Sequence, residues 1–243
     1  MNALWTVCRR ELASVIANPV AAIFVLAFVI LSAALTFHLG GFFARGQADL
    51  EAFFRFHPWL HLFLMPALGM RLWAEERRGG TVELLLTLPL RPAALVGGKF
   101  LAAWGTAGLA LALTAGLPVT VAYLGDPDPG PILSGYLGSW LLAGGFLAVA
   151  AAASAATHNQ AVAFVLGAGA CFLLLATGTD LAADALAGLG AAPLGALAGL
   201  SALPHFDALV EGHITLGAVG FFMSLIATAL FINVRLVAEL DGR

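Results

Sequence analysis

The sequence predicts an all-α polytopic membrane protein with six transmembrane helices. Three observations predict it. Of the 243 residues, 61% are hydrophobic and only 10% are charged, against about 25% charged in an ordinary soluble domain. Several apolar runs reach about 20 residues, the length that crosses a hydrocarbon core of roughly 30 Å as a helix. The runs are continuous, as in residues 20–39, and lack the strict alternation of a membrane β-barrel.

Residues 2–17 predict an N-terminal interfacial helix. Leu4, Trp5, Cys8, Leu12, Val15 and Ile16 recur at helical spacing, while Arg9, Arg10 and Ser14 fall on other faces. Asn18-Pro19 ends this helix, because proline lacks the donor and clashes with a preceding turn. A cleaved signal peptide fits poorly: the apolar run begins late, is long, and has no small-residue cleavage site. The first span is 20–39. Residues 40–55, rich in Phe42, Phe43, Phe53 and Phe54, predict a short helix at the far interface. The second span is 56–73, with Pro66 as a kink and Arg71 extending its head to the interface.

Residues 75–98 form the charged cytoplasmic region between spans two and three. Gly79-Gly80 breaks the incoming helix, Thr81 caps a short new one with Glu83 in its first turn, and Pro89 stops it. The alternative is an amphipathic loop resting on lipid headgroups. The third span is 100–124, interrupted by Pro118, and GDPDPGP at 125–131 is a turn. The fourth span is 132–156. Thr157-His158-Asn159-Gln160 is a tight connection to the fifth, 161–177. The sixth is 214–234. Residues 178–213 are expected to enter the membrane partway or pack over the bundle on the extracytoplasmic side, with a seventh span as the alternative. Small residues in spans four and five (Gly135, Gly138, Gly144, Gly145, Gly167 and Gly169) permit close helix approach.

Charge placement sets the orientation. With six spans and a cytoplasmic N-terminus, Arg9, Arg10, Arg71, Arg77, Arg78, Arg91, Lys99, Arg235 and Arg243 lie inside. Only Arg45 and Arg55 lie outside. Both termini are then cytoplasmic.

Several chemistries are weak here. His57 and His61 share a helix face, but no further metal ligand is adjacent in sequence. Beside Trp59 they read as interfacial anchors or hydrogen-bonded structural groups. His205, Asp207, Glu211 and His213 read as a capping turn or solvated loop, with a substrate or partner surface as the alternative. Gly97-Gly98-Lys99 is not a phosphate loop: Ala93 stands where its first glycine would be, and Phe100 replaces the Ser/Thr that holds magnesium. Ser139 has no evident histidine base. Cys8 and Cys171 have neither metal nor disulfide spacing. The span centres carry no Asp, Glu, Lys or Arg, so ion coupling through this chain alone is disfavoured. The energy source is expected in a partner.

RLWAEERRGGTVELLLTLPL at 71–90, followed by Gly98-Lys99, resembles the ABC-2 type transporter permease signature. The N-terminal RRELASVIANPVAAIF and the run GGFFARGQADLEAFFRFHPWLHLFLMPALGMRLWAEERR resemble its gliding-motility and nitrous-oxide-reductase-maturation branch. The likeness is specific over most of the first 100 residues. Beyond Phe100 it rests on span order, THNQ-AVAF and the last span. It implies six spans, an interfacial helix, a cytoplasmic coupling helix and re-entrant helices before the last span. It implies a permease of the bacterial cytoplasmic (inner) membrane that pairs with a second permease copy or a related one, moving cargo with ATP hydrolysed by a separate ATPase subunit. Glu75, Glu76, Arg77, Arg78, Thr81 and Glu83 would form or flank the ATPase contact. No catalytic residue, metal or cofactor is expected in this chain: ATP and magnesium would be bound by the partner. Membrane lipid and an extracytoplasmic accessory protein are further expected partners, and nucleic acid is not. The alternative function is a membrane anchor or force-transmitting scaffold that moves no cargo.

Overall fold

The computed structural model describes residues 3–17, 19–82, 90–179 and 199–241. Those residues form helices and connecting turns, with no strand among them. An amphipathic helix, α1 (Ala3–Ala17), precedes α2 (Pro19–Ala34), which runs on through a π-helical turn, Leu35–Leu39. Two short helices, α3 (Phe42–Arg45) and α4 (Glu51–Phe54), lead to α5 (His57–Gly69) and α6 (Arg71–Gly79). Then come α7 (Pro92–Leu113), α8 (Gly116–Leu124), α9 (Pro129–Ala156), α10 (Gln160–Ala176), α11 (Ala202–Val210) and α12 (Leu216–Asp241).

Four helical stretches are long and apolar enough to cross a membrane: Ala21–Leu39, Pro92–Leu124, Pro129–Ala156 and Leu216–Glu239. α10 is apolar but shorter. The expected helix 81–88 and the centre of the expected re-entrant region lie largely outside the described residues.

The hub is α9. Its apolar window is 72% buried, against 22–28% for the other three long stretches. It packs against α5, α6, α7, α10, α11 and α12. Its glycines explain this. A Cβ on Gly135 would meet Phe54 Cε2 at 2.5 Å, and one on Gly144 would meet Trp104 Nε1 at 2.7 Å. Each missing side chain seats a large one from another helix, which is how helices associate where lipid is as apolar as their own surface. By contrast, α2 turns Ile23, Leu26 and Ile30 outward. Outward apolar side chains of this kind suit a lipid neighbour.

Prolines and short polar side chains set the helix ends. Pro92 and Pro129 open α7 and α9, at positions where no backbone donor is needed. The Asp128 carboxylate accepts from Gly130 N at the start of α9, and Asn159 Oδ1 accepts from Ala161 N at the start of α10. Three features differ from the sequence reading. The helix of the expected third span begins at Pro92, ahead of residue 100, so Gly97, Gly98 and Lys99 sit inside α7. The break in 92–124 falls at Thr114 and Ala115, ahead of Pro118, which is the third residue of α8 and lies among the donors a helix start leaves free. The expected second span, 56–73, breaks at Met70 between α5 and α6, with Pro66 inside α5.

Candidate functional site

At one end of the bundle α1, α6 and α7 meet around a buried lysine. Lys99, on α7, has a side chain only 4% exposed. Its Nζ lies 2.6 Å from Glu76 Oε1 of α6 and 3.5 Å from Glu11 Oε2 of α1. It also lies 5.3 Å from the Trp73 ring centroid, close enough for cation–π attraction. A lone ammonium in such a place is costly, and two carboxylates and an aromatic face offset that cost.

The two glycines before Lys99 make this approach possible. A Cβ on Gly98 would fall 2.6 Å from Val7 Cγ1, and one on Gly97 would fall 3.2 Å from Leu4 Cδ1. Bare backbone on this face lets α1 lie against α7 with Val7 and Cys8 buried, while Trp5, Arg9 and Arg10 stay exposed. Glu11 then reaches Lys99. The Gly-Gly-Lys run therefore has a structural explanation: close helix packing beside a buried cation.

A second anchor holds the α5–α6 break. Ser154 Oγ, from α9, donates to Met70 O at 2.7 Å and accepts from Trp73 N at 3.1 Å and Ala74 N at 3.0 Å. The serine thus satisfies the backbone groups that a helix break exposes. Arg77 Nη1 donates to Ala155 O at the end of α9.

The six residues of the expected ATPase contact separate into two sets. Glu76 and Arg77 turn toward the bundle. Glu75 is half exposed and bound by Arg71, whose Nε and Nη2 donate to its two oxygens at 2.7 and 3.0 Å. Arg78 and Thr81 are exposed, and Thr81 Oγ1 donates to Glu76 O at 3.3 Å. Glu83 lies outside the described residues. Between Arg78 and Thr81, α6 ends at Gly80, whose φ of 69° lies in the left-handed region that favours glycine.

Environment separates the two carboxyls. The hydrogen bond from Arg71 holds Glu75 below the usual carboxylate range. Burial raises Glu76 above it, against the opposing pull of Lys99.

At the start of α5, His57 Nδ1 pairs with Ser139 Oγ of α9 across 82 residues of sequence. His57 and His61 are fully buried within the protein, His57 as a hydrogen-bonded structural group, and His61 stacks on Phe28 with ring centroids 5.4 Å apart. The sequence offered no base for Ser139, because the pair joins α5 to α9 and has no local spacing. Buried among Phe28, Phe53 and Phe54, it ties helices together. Among the described residues no group of three or more His, Cys, Asp or Glu is placed to hold a metal ion.

The model of one protein family, ABC-2 family transporter protein, matches residues 63–237, more than half of the chain. No curated protein matches it. The match spans α6, the Gly-Gly-Lys face of α7, the hub α9 and most of α12. The chain is all-helical among its described residues, carries helices fit to cross a membrane, and belongs to the ABC-2 family of transporter proteins, as an integral membrane permease.

Proposed function

We propose that this chain is the permease subunit of an ATP-driven transporter, and that a separate ATPase subunit docks on the stretch from Arg71 to Glu83. The observation that carries this reading is the junction of Lys99 with Glu76 and Glu11. It couples the base of the exposed segment to the interfacial helix and to a long apolar helix. A partner that displaces residues 78–83 therefore pulls on α1 and α7 together. Arg78, Thr81 and Glu83 provide the docking face, with Glu75 at its edge. Glu76 and Arg77 act by positioning, since their side chains face the bundle.

Six spans, with both termini cytoplasmic, fit the charge distribution, and residues 178–213 supply re-entrant helices before the last span. A second permease, the same or related, completes the cargo path between two copies in the bacterial inner membrane. Likeness over residues 9–24 and 40–78 favours the gliding-motility and nitrous-oxide-reductase-maturation branch. ATP and magnesium belong to the ATPase.

The test is affinity purification of the tagged chain from its native membranes, with mass spectrometry of what accompanies it. The expected result is an ATP-hydrolysing subunit whose recovery falls when residues 78–83 are altered. A chain that purifies without any ATPase, under conditions that keep other transporters intact, contradicts the proposal.

A further inference from the structure

Once α1 lies on α7, its two faces differ. The inner face is packed: Val7 and Cys8 are buried, and the bare backbone of Gly98 leaves room for Val7. The outer face keeps Trp5 62% exposed, with Arg9 one turn further on the same side, also exposed. α1 ends at Ala17, and the candidate membrane stretch Ala21–Leu39 opens almost at once. Gly97 and Gly98, on which α1 rests, lie near the start of a second such stretch, Pro92–Leu124. The exposed tryptophan therefore stands where two membrane stretches leave the hydrocarbon. An indole, with an apolar body and a polar N–H, suits that level.

The free charge on this face has one sign. Glu11 is the only acidic residue of α1, and its side chain, 18% exposed, turns inward. There it accepts from Arg10 at 2.7 Å and faces Lys99 at 3.5 Å. Glu76 balances Lys99, so Glu11 balances Arg10. Arg9 is left exposed, with no ion-pair partner among the described residues. One unpaired cation beside an exposed indole, at the membrane boundary, is complementary to the phosphate of an anionic lipid headgroup.

We propose that the outer face of α1 docks on the bilayer surface and selects anionic phospholipid, with Arg9 meeting the phosphate and Trp5 entering between headgroups. Glu11 carries the effect inward. Its two oxygens hold Arg10 on one side and Lys99 on the other, so lipid that holds α1 down also holds the Lys99 junction together. The inference needs only placement in a membrane, and stands whether or not an ATPase docks.

The experiment uses the purified full chain in nanodiscs of phosphatidylcholine, or of equal parts phosphatidylcholine and phosphatidylglycerol. Hydrogen exchange is followed at the amides of α1. Alkylation of Cys8, a free thiol buried on the inner face, is counted by mass spectrometry as a second measure of α1 lifting away. One unpaired arginine at an anionic surface should slow both by roughly fivefold in the phosphatidylglycerol discs. Raised salt should remove the difference, since it screens exposed charges. Arg9→Gln should abolish it. Trp5→Ala should quicken exchange in both kinds of disc, because the indole inserts whatever the headgroup charge. Equal rates in the two lipids overturn the proposal. So does a difference that survives in Arg9→Gln, or exchange that Trp5→Ala leaves unchanged in both.

Discussion

Lys99 Nζ stands 2.6 Å from Glu76 Oε1, joining two helices whose partners are 23 residues apart in sequence. Glu11 closes the group from a third helix at 3.5 Å. Removing the lysine leaves two partly buried carboxylates facing each other without their cation. Lys99→Met, which keeps the length of the stem, should therefore cost about 2 kcal/mol, or roughly 4–8 °C in Tm. Adding Glu76→Gln should recover part of the loss. Thermal melts of the detergent-purified variants measure both.

The raised pKa of Glu76 gives a pH dependence with a definite sign. Its folded value lies above the 4.5 of the free group, because burial outweighs Lys99. The contribution is fully present below the unfolded value and is lost as the pH rises through the folded one. Melts should show stability relative to Glu76→Gln falling with rising pH over that window. Lys99→Met should steepen the fall, since it removes the largest opposing effect.

Ser154 makes three hydrogen bonds to the backbone at the α5–α6 break. Ser154→Ala leaves Trp73 N and Ala74 N buried without that acceptor, a loss of about 2 kcal/mol. Hydrogen exchange should quicken at those two amides more than at the middle of α9.

Gly98 holds α1 against α7. A larger residue collides with Val7, and overpacking of this kind costs 1–3 kcal/mol, so Gly98→Ile should speed trypsin cleavage after Arg9 and Arg10 by roughly tenfold. Val7→Ala in the same chain should slow it again, because it vacates the space the new side chain needs.

How much of this was legible in the sequence follows from the reach of each signal. The apolar runs around Phe28, Ala148 and Phe222 show in composition alone, since a membrane-crossing stretch is a local property. Glycine and proline punctuation at Gly80 and in the turn at 125–131 is local too, whereas α7 starts at Pro92, ahead of the span expected from residue 100. The inward turn of Glu76 is not: it depends on Lys99 and Glu11, from two other helices, and a charged stretch reads as solvent-facing until those partners are placed. His57–Ser139 and Ser154–Met70 are hidden in the same way, because each joins residues about 80 positions apart. The Gly-Gly before Lys99 shows as a motif, but its reason, room for Val7, requires α1 to be in place.

The central claim is that an ATPase engages the exposed face beyond Arg77, and Arg78 tests it most directly. Arg78 is exposed on the last turn of α6 and has no ion-pair partner among the described residues. Arg78→Glu should leave stability within about 0.5 kcal/mol of the parent. The measurement is the amount of ATPase that co-purifies with the tagged variant, set against that recovered with the parent chain. The account predicts that most of the ATPase is lost while Tm is unchanged. Full recovery with Arg78→Glu, and again with Arg78→Glu and Glu83→Lys together, would contradict it.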